Sequence, residues 1–213
     1  MYLTPTEKHW AADIEADGLL DEATRIWCVT VINCVTKEKG KFRTKEEFKK
    51  WEEKHPDAIY VGHNFIAYDA PMLNRHWGAR VPVSRIVDTF VISQLYNPSY
   101  KAPKGCSKGG HSLEAWGMRL RYPKDDFNDF SRFSEEMMRY CMKDTILAAL
   151  LFIKLAERMT MVGFTEESCK IEHLAWNIIQ NKQKRHGFPF DIKKAELLYA
   201  SLRQREKELQ DEI

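Results

Sequence analysis

The chain has 213 residues, of which 44% are apolar and 12% aromatic, with a formal net charge of +2. That composition is sufficient for a large core and excludes global disorder, and near-neutrality means that nucleic-acid binding would need a local basic patch. No run approaches the roughly 20 apolar residues of a membrane span, and no signal-peptide pattern occurs. Five scattered cysteines without a CxxC pair favour buried free thiols in a reducing compartment. We therefore expect a cytoplasmic protein without a membrane segment.

The first predicted element is a strand over residues 10–17, WAADIEAD. Because side chains alternate along a strand, Asp13 and Glu15 share one face while Ile14 points into a core. Two like charges side by side repel each other unless a cation lies between them, which points to a hard divalent metal bound through oxygen. The alternative is an exposed strand end carrying two solvated acids.

Strands and helices then alternate, which predicts an α/β domain with helices packed on a sheet. Thr44 and Glu47 form a capping-box pattern at the start of a charged helix. The predicted strands cover residues 26–32, 41–43, 59–63 and 86–87, and the predicted helices cover residues 45–55, the segment after Asp69, and 89–95.

The second half of the chain is predicted to be mostly helical. Residues 97–110 contain prolines, glycines and three lysines, which indicates a long basic loop, either solvated or a flap that touches phosphate. Ser112 and Ser134 are N-cap candidates for a short and a long helix. Two further helices are predicted over 166–186 and 192–213, the last with an apolar stripe of Leu198, Leu202, Leu209 and Ile213. Because no capping residue ends it, we expect the chain to be a fragment of something longer.

Further acidic residues lie where the ends of these elements are predicted. Tyr140 and Asp144 are spaced i, i+4 and share a helix face. Asp69 follows a strand and is also a candidate N-cap, and for Asp88 we favour the capping role. Taken singly, each is more easily explained as a core aromatic, a surface acid or a cap.

The order of these motifs resembles the DEDD family of 3′–5′ exonucleases, in its tyrosine subclass. The matching segments are Asp13-Ile14-Glu15, the run from His63 to Asp69, and the run from Tyr140 to Asp144. Further segments resemble the proofreading domain of family A DNA polymerases from podovirus-type phages: residues 111–117, 125–127 and 171–191. The resemblance divides the chain into an exonuclease domain over 1–163 and a helical segment over 164–213, similar to the entry into a polymerase thumb.

The resemblance implies a ribonuclease H-like fold, a mixed five-stranded sheet flanked by helices with a C-terminal helical extension. It also implies two Mg²⁺ or Mn²⁺ ions and in-line hydrolysis that releases nucleoside 5′-monophosphates. The implied metal ligands are Asp13, Glu15, Asp69 and Asp144; Tyr140 would orient the attacking water; Leu19, Asn64 and Phe127 would contact the substrate.

The expected substrate is a DNA 3′ end, preferably single-stranded, and a possible partner is a polymerase domain absent from this chain. An exoribonuclease acting on RNA 3′ ends would share every catalytic residue, so the acids do not separate the two. A non-catalytic module that holds a DNA end is a further alternative, although it leaves the complete acidic set without a purpose. A purely structural helical adaptor would rest on the last two helices alone.

Overall fold

The computed structural model describes residues 3–212. Its centre is a mixed five-stranded sheet with the strand order β3-β2-β1-β4-β5. Strand β1 is antiparallel to β2 and parallel to β4, β5 continues the parallel side, and β3 pairs antiparallel with β2. The strands are β1 (His9–Ala16), β2 (Ile26–Asn33), β3 (Lys39–Phe42), β4 (Ile59–Gly62) and β5 (Ile86–Asp88).

Helices cover both faces of this sheet and form the C-terminal part of the chain. They are α1 (Lys45–Lys54), α2 (Asp69–Met72), α3 (Thr89–Tyr96), α4 (Leu113–Arg119), α5 (Glu135–Met161), α6 (Glu166–Ile178), α7 (Lys184–His186) and α8 (Ile192–Asp211). Two π-helical turns, Leu73–Trp77 and Ile179–Gln183, follow α2 and α6, and a 3₁₀ turn, Val83–Arg85, precedes β5.

The alternation of β1 separates its two faces into different environments. Ile14 lies in one apolar cluster with the aromatic residues of α1, such as Phe48 and Trp51. Ala11 lies in a second cluster, formed largely with α5. Asp13 has the same strand parity as Ala11, so the strand continues from an apolar surface under α5 directly into the acidic pair.

Helix α5 is the longest element, with 27 residues, and it crosses β1 and β2. Its C-terminal half fills the second core, where Phe152 stacks on His9 at a ring-centroid distance of 5.1 Å. Near its N-terminal half, the Oγ1 atoms of Thr145 and Thr30 lie 2.5 Å apart, and both residues are buried. These contacts set the position of the helix against β2, and therefore of every side chain on its sheet-facing side.

Asp88, at the end of β5, connects several segments through its buried carboxylate. It accepts backbone N–H bonds from Asn64 at 2.9 Å and from Ile66 at 3.0 Å, and it caps α3 through Phe90. Its own backbone N–H donates to Nε2 of His173 in α6 at 2.7 Å. The capping role expected for Asp88 is therefore present, and the same side chain holds the loop after β4.

The predicted elements correspond closely to the observed ones. The capping box of Thr44 and Glu47 is formed, and Ser112 and Ser134 cap α4 and α5. The structure differs in that β3 starts two residues earlier than expected, since its pairing with β2 runs back to Lys39, and the helix expected over 166–186 is interrupted by a π-turn. Residues 97–112 contain no helix or strand, but Arg119 donates to the carbonyl oxygens of Gly110 and Lys101, so this basic loop is anchored.

The C-terminal helices differ in how they contact the rest of the chain. Helix α6 buries Cys169 and His173, and Asn181 beyond it donates to the carbonyl oxygen of Ile66 at 2.9 Å. Helix α8 buries no residue, and Leu198 and Leu202 on it are exposed; Ile213 of the predicted stripe lies outside the described residues. Among residues 3–212, no helix combines the length and apolar character needed to cross a membrane.

We expect the Asp88→Ala substitution to lower the free energy of unfolding by about 2–4 kcal/mol. It leaves three backbone N–H groups without their acceptor, and each buried unpaired donor costs about 1–3 kcal/mol. Urea denaturation monitored by circular dichroism measures this change in the free energy of unfolding. Asp129→Ala is the control, since exposed Asp129 interacts only locally, with Ser131 and Arg132, and its substitution should change stability by less than about 0.5 kcal/mol. Equal effects of the two substitutions would contradict the role given to Asp88.

Candidate active site

The acidic pair of β1 lies where the strand leaves the second core. Potential ligand atoms of Asp13, Glu15 and Cys141 all lie within 4.8 Å of one another. The pairing of β1 with β2 is regular from Trp10 to Glu15 and then shifts between Glu15 and Ala16. The two carboxylates therefore stand on the last regular residues of a central strand, with a buried core behind them.

Asp69 reaches the same place from the loop that follows β4. Its buried carboxylate accepts a hydrogen bond from the backbone N–H of Ile14, the residue between the two acids of β1. Asn64 enters this loop with φ of 64°, in the left-handed region. Asp69 is the first residue of α2, with Tyr68 at the N-cap position, so the alternative of Asp69 as the N-cap is wrong.

Helix α5 provides the remaining two side chains of the motif. Asp144 is buried and lies close enough to Asp13 and Glu15 to raise the pKa of both, and the Tyr140 hydroxyl hydrogen-bonds to it. Between them, the Cys141 thiol donates to the Asp13 carbonyl oxygen at 3.4 Å. All five residues expected to be catalytic are thus brought together from three separate segments.

The clustered acids strongly disfavour full ionisation. Burial, followed by the charge of Asp144, raises the pKa of Asp13 to about 7. Burial and the neighbouring carboxylates likewise raise the pKa of Glu15 far above its ordinary value, and burial raises the pKa of Asp69 and Asp144. A group of acids in this state gains most from a cation that lets all of them ionise.

Lys124 is a residue of this site that sequence reasoning missed. Its ammonium group forms an ion pair with Oδ2 of Asp144 and lies 5.1 Å from the centroid of the Tyr140 ring. It comes from the irregular connection between α4 and α5. A single lysine in such a segment has no spacing that distinguishes it from a solvated surface residue.

The donor set fits a hard divalent cation. Oδ1 of Asp144 is buried and has no hydrogen-bond partner among the described residues, so one carboxylate oxygen in the cluster is free to be a ligand. The other available donors are carboxylate oxygens, which suit Mg²⁺ or Mn²⁺, whereas the Cys141 thiol is already engaged with the backbone. Asp13, Glu15, Asp69 and Asp144 are therefore the residues that could hold metal here.

Two open cavities lie beside the acids and contain the expected substrate-contacting residues. Leu19, 73% exposed, and Asn64 line one of about 690 Å³, together with Tyr68, Lys184 and Arg185. Phe127 and Tyr140 line the other, of about 340 Å³, and their rings stack with centroids 5.4 Å apart. A third cavity, of about 500 Å³ around Pro71 and Val81, is lined mainly by apolar groups, and none of the four acids lines any of these three cavities.

No protein-family model matches the chain. Over 93% of its length it is 30% identical to the DNA-directed DNA polymerase of Escherichia phage T7 and 31% identical to that of Enterobacteria phage T3. The chain spans about a third of the length of these curated relatives, 36% of each.

Solved structures of nucleases share the fold at low sequence identity. Brucella melitensis NrnC with bound Mg²⁺ superposes with a TM-score of 0.63, covering 88% of this chain and 92% of that one at 15% identity. The catalytic core of RRP6 from Trypanosoma brucei gives a TM-score of 0.59, with 79% and 46% coverage at 14% identity.

The fold is thus the ribonuclease H-like nuclease fold that the sequence predicted, with its mixed five-stranded sheet and its C-terminal helices. Within that class, the resemblance to a DEDD-type exonuclease of the phage-polymerase kind is confirmed.

The raised pKa of Asp13 predicts a pH-dependent stability in metal-free buffer. Between the ordinary value of 3.8 and about 7, the folded protein binds more protons than the unfolded chain, so stability falls as pH rises through this window. Asp13→Asn removes this contribution. In EDTA at pH 8 we expect the Tm of Asp13→Asn to exceed that of the wild type by at least about 2–4 °C, which is the change in Tm that about 1 kcal/mol produces at this chain length. The difference in Tm between the two proteins should become smaller toward pH 4.

Asp17→Asn is the control for this experiment and should act in the opposite direction. Slight burial raises the pKa of Asp17, but hydrogen bonds from Thr24 and Arg25 outweigh it and lower the pKa. Removing that carboxylate should therefore reduce the Tm at pH 8. Differential scanning calorimetry across pH 4–8 measures both variants, and an Asp13→Asn protein no more stable than the wild type at any pH would contradict the acid cluster.

Proposed function

We propose that this chain is a metal-dependent 3′–5′ exonuclease that hydrolyses the terminal phosphodiester of single-stranded DNA and releases nucleoside 5′-monophosphates. The observation that carries the proposal is the convergence of four acids from β1, the loop after β4 and α5 on one place, where burial raises the pKa of each. Isolated surface acids have neither the convergence nor the raised pKa values. A site of this kind requires bound cations before it can accept the charged phosphate of a nucleic acid.

Asp13, Glu15, Asp69 and Asp144 are the proposed ligands of two Mg²⁺ or Mn²⁺ ions. When bound, such ions activate a water molecule and stabilise the oxygen that leaves in an in-line displacement. The chain's own contribution is to hold the four carboxylates in place through β1, the segment after β4 and α5. The Thr30–Thr145 contact and the Asp69–Ile14 hydrogen bond supply that rigidity.

Tyr140 is the proposed group that orients the attacking water. Burial and the neighbouring Asp144 raise the pKa of its hydroxyl to about 12, so the phenol keeps its proton at neutral pH. It is then a hydrogen-bond donor as well as an acceptor, fixed beside a metal ligand. Stacking on Phe127 limits the directions in which the ring can turn.

Leu19, Asn64 and Phe127 are the proposed contacts for the terminal nucleotides. Exposed Leu19 can wedge against a base, and Phe127 can stack on one, and neither contact depends on which base is present. Asn64 and the nearby Lys184 and Arg185 line the cavity beside Leu19, where they can contact the sugar-phosphate backbone. Sequence-tolerant contacts of this type suit an enzyme of the proofreading type.

The likeness to phage DNA polymerases supports DNA over RNA as the substrate and supports a polymerase domain as partner, either in a longer chain or as a separate one. Residues 1–163 would then be the exonuclease domain and 164–213 the segment leading toward the polymerase, consistent with the exposed leucines of α8. The phage origin of the relatives also supports a location in the host-cell cytoplasm.

The first test is a time course on a 5′-labelled single-stranded DNA oligomer with Mg²⁺. The wild type should produce a ladder that shortens from the 3′ end, and EDTA should abolish it. Asp13→Ala should reduce the rate by about 10³-fold or more, because loss of a metal ligand removes several kcal/mol of transition-state stabilisation. A folded wild type that leaves the oligomer intact with either Mg²⁺ or Mn²⁺ would instead support a module that only binds DNA ends.

An RNA oligomer of the same sequence, run in parallel, tests the substrate class. We expect faster shortening of the DNA. Preferential degradation of the RNA would overturn this part of the proposal and favour an exoribonuclease while leaving the metal chemistry intact.

Tyr140→Phe should separate orientation of the water from metal binding. We expect hydrolysis to slow by roughly 10²-fold, a typical effect for a group that positions a proton, while Mn²⁺ affinity changes by less than about 3-fold. Single-turnover kinetics and isothermal titration calorimetry measure the two quantities. A loss of metal affinity as large as the loss of rate would contradict the assigned role.

A further inference from the structure

We propose that Lys124 is a resident counter-cation of the acid cluster, which competes with divalent metal for Asp144 and must move away when metal binds. This inference rests on the proposed metal-dependent function of the same site. It adds a residue that none of the motifs contains and makes it a determinant of metal affinity.

The contacts of Lys124 place a positive charge inside the cluster. Its ammonium group pairs with Oδ2 of Asp144, and the two side chains are only 20% and 5% exposed. It also hydrogen-bonds to the Tyr140 hydroxyl, so it contacts two of the five residues proposed to be catalytic. Its charge lowers the pKa of Asp13, Glu15 and Asp144, partly opposing the effect of burial.

The same charge is unfavourable once metal arrives. Two cations next to each other in a partly buried site repel, and the interaction is stronger there than in water. Asp144 offers its unpaired Oδ1 to a metal while Oδ2 remains held by the ammonium group. Binding of a divalent ion to both oxygens of Asp144 would require the release of Lys124, and binding to Oδ1 alone would leave two cations on one carboxylate, which repulsion disfavours.

The structure provides a place for the displaced ammonium group. Lys124 lines the cavity of about 340 Å³ next to Tyr140, and two acidic residues line the same cavity: Asp126, and Glu114, whose carboxylate accepts hydrogen bonds from Ser107. A lysine side chain has four rotatable bonds and moves readily between neighbouring acids. The main chain need not follow, because the next residue, Asp125, forms an ion pair with Lys143 of α5.

Lys143 also supplies a matched control. It is a half-buried lysine one residue from Asp144, its ion pair is likewise short, and it holds the same connection as Lys124. Its partner, however, is Asp125, which is not one of the proposed metal ligands. Removing the charge of Lys143 perturbs the connection to a similar degree without removing a cation from the cluster.

The test measures Mn²⁺ binding to the wild type, Lys124→Met and Lys143→Met, without nucleic acid, by electron paramagnetic resonance of free Mn²⁺ and by calorimetry. We expect Lys124→Met to bind Mn²⁺ at least about 5-fold more tightly than the wild type. This is the size of effect expected when the ion pair of a partly exposed lysine no longer competes with the metal for the Asp144 carboxylate. Lys143→Met should stay within about 2-fold of the wild type. In EDTA, the Tm of Lys124→Met should fall, so that the stabilisation by Mn²⁺ is larger than in the wild type.

Lys124→Gln serves as a second variant, and circular dichroism in EDTA establishes that each variant is folded. Unchanged or weaker Mn²⁺ binding by both folded Lys124 variants would overturn the proposal, and weaker binding would mean that Lys124 organises the ligands instead. Equal tightening in Lys143→Met would overturn it too, by showing a general effect of net charge. Mn²⁺ binding by Asp13→Ala distinguishes failure of this inference from failure of the proposed function. If the wild type binds Mn²⁺ no more tightly than Asp13→Ala does, the proposed metal centre fails as well.

Discussion

The rest of the structure depends on the repulsion between four carboxylates that the fold holds in a poorly solvated place. Burial raises the pKa of every one of them, and the charges of neighbouring acids add to that effect for Asp13, Glu15 and Asp69. Such a cluster destabilises a protein unless cations are bound, so it persists only where the surrounding structure holds it. The surroundings here are a central strand, a 27-residue helix and a loop held by a buried aspartate.

Each of these supports has a distinct physical origin. Strand β1 is rigid because it has partners on both sides and a core on both faces. Helix α5 is held by apolar contacts along one half and by the buried Thr30–Thr145 contact near the site. The loop after β4 has no regular partner, and the carboxylate of Asp88 satisfies two of its backbone N–H groups instead. The site therefore relies on polar as well as apolar packing.

Lys124 connects this constraint to function. A protein that carries four clustered acids must also exist without metal, for example during folding, and an internal ammonium group offsets part of the repulsion in that state. Because Lys124 lies in an irregular connection and not on the sheet or on α5, its side chain can move away from Asp144. The helices after residue 163 contribute to the other cavity, the one next to Leu19, which Lys184 and Arg185 line.

Much of this protein was determined by local sequence. Alternation along β1 set Asp13 and Glu15 on one face and Ile14 on the other, and side-chain caps set the starts of α1, α4 and α5, because these features depend on neighbours a few residues away. The order of the acidic motifs also indicated which residues would meet, since the family's fold is encoded in that order.

Only the tertiary structure decided the remainder. The ion pair of Lys124 with Asp144, the capture of the loop after β4 by Asp88 and the docking of His173 on β5 join residues at least 20 positions apart. Such contacts have no periodicity in the sequence, because they arise where the packing of the sheet and helices brings distant side chains together.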